Sequence, residues 1–171
     1  MLEKKNRDLS QSCFLGIIKS KYKNNLIMDG DGQHDPKYIK TMLNIFVKKK
    51  VDFVIGVRKF ENINESLSFT RFMASKILIF IFKILFNLKT SDPMTGFFIF
   101  KKNFYLKNKR YFFGKGYKIL ADLIYSTPHT LKIVDLKINF LKRKNEKSKM
   151  SFKVLLILIK FILSRSLLRN E

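Results

Sequence analysis

Three apolar residues, Leu26-Ile27-Met28, run directly into Asp29-Gly30-Asp31-Gly32-Gln33-His34-Asp35-Pro36. An apolar strand that ends in a carboxylate-bearing turn and then enters a helix belongs to an open α/β sheet, in which ligands sit beyond the carboxyl ends of the strands. Two carboxylates one residue apart are hard oxygen donors suited to Mg²⁺ or Mn²⁺, and a diphosphate can fill the other positions. Asp-x-Asp also opens an EF-hand loop. Counted from Asp29, however, the loop's required Gly is His34 and its closing Glu is Lys40, so that reading fails. Asp35-Pro36 suits a helix N-cap followed by a first helical residue, a role that leaves Asp29 and Asp31 unexplained.

The rest of the chain repeats the alternation. Leu9, Cys13, Ile17 and Ile18 predict a helix over 9–20, and residues 25–28 a strand. A helix is expected from Pro36 to Lys49, with Ile39, Met42, Leu43 and Phe46 on one face. Val51–Val57 reads as a buried strand, and residues 69–88 as a long apolar helix. Asp92-Pro93-Met94-Thr95-Gly96 is a turn into a strand at Phe97–Phe100. A short helix over 117–125 and a strand over 131–138 follow, then a charged loop at 142–149 and a last helix. Strands alternating with helices imply an α/β fold with a mostly parallel sheet flanked by helices. Residues 1–150 read as the α/β portion and 151–171 as an apolar, basic C-terminal helix.

The formal net charge is +22, but 28 of the 35 basic residues are Lys, alongside much Asn and Ile. Nucleic-acid and phosphate sites use Arg more selectively, so part of this charge is compositional background and nucleic acid is not the expected partner. A single Cys13 excludes an internal disulfide and a Cys-based zinc cluster, in keeping with a reducing compartment. The opening residues Met1–Asp8 have no apolar stretch, so no signal peptide is expected. Two apolar runs, 77–86 and 154–163, are interrupted by Lys83 and Lys160 and flanked by basic residues. Both fall short of the ~18 apolar residues of a spanning helix. Such runs either lie in a membrane interface with lysines reaching the headgroups or pack in a core or oligomer contact.

Several separated segments together resemble one family. Asp29–Pro36, Gly56-Val57-Arg58, Arg71-Phe72-Met73-Ala74-Ser75, Asp92–Phe98, Gly116-Tyr117-Lys118-Ile119-Leu120, and Arg143 with Ser148-Lys149-Met150 are similar, in order and spacing, to the polyprenyl-phosphate group of glycosyltransferase family 2. The resemblance covers about residues 7–165. It implies a GT-A-like fold, a divalent Mg²⁺ or Mn²⁺, and inverting transfer of a hexose, mannose or glucose, from a GDP- or UDP-sugar to a polyprenyl (dolichyl-type) phosphate. By that resemblance Asp29, Asp31 and Gln33 lie at the metal and diphosphate, with Asp31, Arg58 and Asp92 at the catalytic centre. Gln33, Arg58, Arg71, Ser75, Arg143, Ser148 and Lys149 contact donor or acceptor phosphates, the last three from a closing loop. The implied setting is peripheral, at the cytoplasmic face of a membrane. The chemistry agrees, because joining two anions needs Arg forks and Lys charges. A phosphate acceptor with a second pKa of about 6 needs no strong base. Asp92 and Asp122 are candidates to orient the acceptor, against plainer readings as a turn former and a solvated helix carboxylate. Arg58 and Arg71 have plainer readings as surface cations. His34 is expected to support the turn. Tyr117 and the phenylalanines near Gly96 either line an isoprenoid path or pack in the core.

The chain departs from the family pattern at its start. The family opens with a strand, a helix and a second strand holding the nucleotide base, with a signature resembling Val-Pro-x-Tyr-Asn-Glu, and neither is present here. Only 28 residues precede Asp29. The expectation is a truncated fold that leaves a sheet edge unpaired and calls for an N-terminal-half partner chain or a longer reading frame. The rival class is a non-catalytic basic protein that binds a membrane surface or nucleic acid. It gives Asp29 and Asp31 no role.

Overall fold

A computed structural model of the chain describes residues 8–59, 89–116, 118–127 and 130–141, together with Lys160 and Ser164, both helical. The helix expected over 69–88, the loop 142–149 and most of the C-terminal helix fall outside these residues.

The apolar runs form a four-stranded sheet in the order β1-β3-β2-β4: β1 (Asn24–Met28), β2 (Phe53–Arg58), β3 (Phe97–Lys101) and β4 (Ile133–Ile138). β3 pairs antiparallel with both β1 and β2, and β2 pairs parallel with β4. Three of the four strands therefore run in one direction, and β3 is threaded backwards between two of them. The β2–β4 pair is locked at its start, where Asp52 and Phe53 N–H groups donate to Lys132 O and Lys132 N–H donates to the Asp52 carboxylate.

Alternation along β2 and β3 sends their side chains into two separate cores. On one face Phe53, Ile55, Val57, Phe98 and Phe100 pack with α1 (Leu9–Lys19), α3 (Lys102–Asn108) and α4 (Ile119–Tyr125). On the other face Val54, Phe97 and Ile99 pack with Met42 and Phe46 of α2 (Tyr38–Lys49) and with Ile138. Phe97 and Phe98, weighed above as walls of a lipid path, are fully buried core residues on opposite faces.

Two helices differ in detail from expectation. The inward row of α1 is Ser10, Phe14 and Ile17, whereas Leu9 and Ile18 are exposed. Phe14 is the reason, since its ring meets Tyr105 at 5.0 Å and Phe112 at 5.8 Å between centroids. α2 starts two residues after Pro36, with Asp35 Oδ1 accepting from Lys37 N–H, and it ends at Lys50 in a left-handed conformation (φ 50°). The sequence reading did not foresee α3. Its first residue is fixed by tertiary bonds, because Lys102 N–H donates to Lys23 O and Lys102 Nζ caps the end of α1 through Ile18 O and Ser20 O.

Candidate active site

β1 delivers the carboxylate turn to the sheet's edge. The ladder continues one residue past the strand, where Asp29 N–H donates to Gly96 O at 3.0 Å. The Asp29 side chain lies directly over Gly96, and a Cβ there would collide with its carboxylate. Gly96 is thus a glycine for reasons of close approach, and the turn 92–96 forms the floor under Asp29. Asp31 Oδ1 accepts from Gln33 N–H at 3.1 Å, and Gly32 takes φ 77° to complete the bend. Gln33 then ties the turn to the segment after β4, with its carbonyl accepting from Leu141 N–H and its Nε2 donating to Leu141 O.

His34 sits in a single antiparallel bridge with Phe140, its ring 5.1 Å from Phe97 and 5.3 Å from Phe140. Burial pushes its pKa below the ordinary 6.5, Arg58 adds to that, and Asp29, Asp31 and Asp92 oppose it. Its Nε2 is 3.9 Å from Asp29 Oδ2, beyond hydrogen-bond length, and its buried Nδ1 has no hydrogen-bond partner among the described residues. A neutral ring wedged between two phenylalanines braces the turn rather than titrating in solvent.

Arg58, the last residue of β2, is no solvent cation. Its guanidinium forks onto Asp92, Nε to Oδ2 at 2.6 Å and Nη2 to Oδ1 at 2.9 Å, and lies 5.5 Å over the Phe140 ring. Asp92 is fully buried. It also shapes its own turn, accepting from Met94 N–H, and the Thr95 hydroxyl fastens that turn to Gly56 O. Asp135 of β4 anchors the approach, accepting from the Thr90 hydroxyl, Ser91 N–H and the Ser91 hydroxyl. Two residues placed together at the catalytic centre from the sequence, one of them also as a phosphate contact, are thus partners in one ion pair, with Asp92 fully buried.

Asp122 is neither solvated nor turned to an acceptor. It is buried, and it accepts from Phe113 N–H, Gly114 N–H and the Ser126 hydroxyl, clamping the loop before α4. Lys118, at the N-terminal cap of α4, is a residue within electrostatic reach of the site that sequence reasoning quoted but did not assign. Its ammonium feels Arg58, Asp92 and Asp29. Burial, then Arg58, pulls its pKa below the ordinary 10.5, against Asp92 and Asp29. The signal was its place in the Gly116–Leu120 segment, and Gly116 is pinned to α1 by Asp8 and Ser10. Arg71, Ser75, Tyr117, Arg143, Ser148 and Lys149 lie outside the described residues.

Among the described residues no three His, Cys, Asp or Glu side chains gather into a metal cage, and no helix is long and apolar enough to cross a membrane. The arrangement is instead an open one, with Asp29 and Asp31 projecting from one turn against the Gly96 floor and the Arg58–Asp92 pair beside it. Two carboxylates on one turn are hard oxygen donors that could hold Mg²⁺ or Mn²⁺.

The architecture matches known proteins. The chain is similar to dolichol-phosphate mannosyltransferase of Mycosarcoma maydis, 27% identical over 152 residues, covering 87% of this chain and 51% of the relative. It is also similar to an uncharacterized protein of Methanocaldococcus jannaschii, 30% identical over 120 residues, covering 68% of this chain and 51% of the relative. Among solved structures, glucosyl-3-phosphoglycerate synthase of Mycobacterium tuberculosis with Mn²⁺, UDP-glucose and phosphoglyceric acid superposes with a TM-score of 0.69 at 13% identity, over 96% of this chain and 57% of that one. The fold is accordingly GT-A-like, and the chain spans about half the length of the curated relatives it matches. The profile of glycosyl transferase family 2 matches residues 2–108, and the chain belongs to that family.

Proposed function

We propose that this chain forms the carboxylate-bearing part of a glycosyltransferase that moves a hexose from a GDP- or UDP-sugar to a polyprenyl phosphate, with inversion, at the cytoplasmic face of a membrane. One observation carries the reading. The Asp29 carboxylate is held over Gly96 beside a buried Arg58–Asp92 pair, at the carboxyl end of β1. The similarity to a dolichol-phosphate mannosyltransferase supports a polyprenyl phosphate acceptor, and neighbours crystallised with Mn²⁺ and UDP-glucose support the donor class.

Asp29, Asp31 and the Gln33 side-chain oxygen would hold Mg²⁺ or Mn²⁺, whose charge stabilises a departing diphosphate. Gln33 keeps the turn in register through Leu141. The Arg58–Asp92 pair sets the height of the 92–96 floor and so the position of Asp29. An acceptor phosphate is largely ionised near neutral pH, so the neutral, braced His34 has no proton to remove. Arg71, Ser75, Arg143, Ser148 and Lys149 are the remaining candidates for phosphate contact, and the apolar runs at 77–86 and 154–163 for contact with the bilayer.

Calorimetric titration with GDP and UDP, with Mn²⁺ and then with EDTA, tests this. The expected result is metal-dependent binding of one nucleotide that Asp31→Asn abolishes. Binding of either nucleotide that ignores both EDTA and Asp31→Asn would sink the reading in favour of a merely basic surface.

A further inference from the structure

Phe140 lies two residues past the end of β4 and belongs to neither apolar core. It is half-buried. A large aromatic side chain ordinarily stabilises a fold by filling a core. Among the described residues this ring instead meets two polar partners, and both belong to the candidate site. The His34 ring lies 5.3 Å away between centroids, close to edge-on at 68°. The Arg58 guanidinium lies over the ring at 5.5 Å from its centroid.

These partners come from different parts of the site. His34 closes the turn that carries Asp29 and Asp31. Arg58 is forked onto Asp92, which shapes the 92–96 floor beneath the Asp29 carboxylate. Phe140 therefore touches the turn and the support of its floor at once. The face of an aromatic ring attracts a cation, so Arg58 is held by the ring as well as by the carboxylate.

The backbone around Phe140 is itself fixed. Lys59 N–H donates to Ile138 O at 3.2 Å, and Asn139 N–H to the Tyr38 hydroxyl at 3.2 Å. Leu141 N–H donates to Gln33 O at 3.0 Å, and Gln33 Nε2 donates to Leu141 O at 3.3 Å. The segment 138–141 is thus stitched to the turn after β1, to the exit of β2 and to the start of α2. The ring cannot shift against the turn without breaking these bonds.

We propose that Phe140 is a positioning residue, whose ring, seated between His34 and Arg58, fixes the spacing between the carboxylate turn 29–34 and the 92–96 floor. It acts on a bound ligand only through the side chains of the turn. The effect on binding rests on the metal reading of that turn, and the effect on the order of the turn does not.

Phe140→Leu keeps apolar bulk and removes the ring, whereas Phe140→Tyr keeps the ring. The full chain and both variants are compared by urea unfolding, by hydrogen exchange, and by calorimetry of GDP and UDP with Mn²⁺. In Phe140→Leu, exchange of the Asp29 and Gln33 amides, which donate to Gly96 O and Asp31 Oδ1, should rise about tenfold or more. The amides of β2 should keep wild-type rates. Mn²⁺-dependent nucleotide binding should weaken about 10–100-fold, the usual cost of disturbing groups that orient metal ligands. Phe140→Tyr should restore both. Wild-type exchange and binding in Phe140→Leu overturn the proposal. So does an equal loss in both variants that follows their urea midpoints, since the ring is then ordinary packing. Should Phe140→Leu fail to fold, Phe140→Met is the second variant and is read the same way. If the wild-type chain binds neither nucleotide with Mn²⁺, the transfer reading fails, and amide exchange still decides the role of Phe140.

Discussion

Leu26 and Ile99 face each other across the β1–β3 ladder, yet Ile99 is 3% exposed and Leu26 36%. The same contrast holds for the strands as wholes. Every residue of β2 but its last is buried, as is every residue of β3 but its last, whereas β1 has no fully buried residue. β2 and β3 are apolar up to a terminal cation and β1 only over Leu26-Ile27-Met28, yet even those three are not buried. Burial here is a property of what flanks a strand. β2 and β3 have a strand on each side and helices on both faces, and among the described residues β1 has a strand on one side only. The consequence reaches the site, because Asp29 hangs from the exposed strand while its floor, Asp92–Gly96, hangs from the buried ones.

The largest effect should come from the buried half. Arg58→Ala leaves the fully buried Asp92 carboxyl without its fork, and loss of one partner of a buried pair costs about 3–5 kcal/mol. Urea unfolding reads this directly. A double variant, Arg58→Met with Asp92→Leu, should recover much of the loss, since no charge is then stranded. If it does not, the pair does more than balance itself. Phe53→Ala should cost a similar ~3–5 kcal/mol, because Phe53 is fully buried and meets Phe98, Phe100 and Phe104.

Gly96→Ala joins the two halves. A methyl at Gly96 displaces the Asp29 carboxylate, and forcing extra volume into a packed site costs about 1–3 kcal/mol. The expected signature is disproportionate, with a modest loss in urea stability and a complete loss of Mn²⁺-dependent nucleotide binding. Retained binding would mean that Asp29 holds its position without the Gly96 floor.

A smaller effect concerns pH. The Cys13 thiol, half-buried on α1, is pushed up to about 11 from 9.0, by burial first and then by Asp29. The folded thiol keeps its proton where the unfolded one has lost it. Its contribution is therefore intact below pH 9 and is lost as pH rises toward 11. Urea midpoints should fall across that window, less steeply in Cys13→Ala. Tyr125, raised to about 12 by burial, extends the slope upward. An identical slope in Cys13→Ala would remove Cys13 as its source.

Much of the buried half was legible because its signals are local. Apolar runs of strand length at 53–57 and 97–100 and the Asp-Gly-Asp turn each report on themselves. The reversal of β3 was not, since an apolar strand carries no mark of its direction and the connection before it leaves both directions open. α3 was missed because Lys102–Asn108 has no side-chain cap and owes its place to Lys23, Ile18 and Ser20. The site was legible as a list and not as a geometry. Arg58 and Asp92 are 34 positions apart, and nothing in either neighbourhood says that one will neutralise the other. Asp122 looked like a helix-surface carboxylate because the loop that buries it arrives from Phe113 and Gly114.

The smallest expected effect bears hardest on the contrast between the strands. Leu26→Ala and Ile99→Ala remove the same number of carbons from paired positions of one ladder. Ile99 should cost about 2–5 kcal/mol, the range for a filled core. Leu26, with more than a third of its surface already in water, should stay within about 1 kcal/mol. Equal costs would mean that β1 is covered in solution, which in an isolated chain points to self-association through that edge. Dilution decides this, because a cost that arises from a covered interface falls with protein concentration, and one that arises within the fold does not.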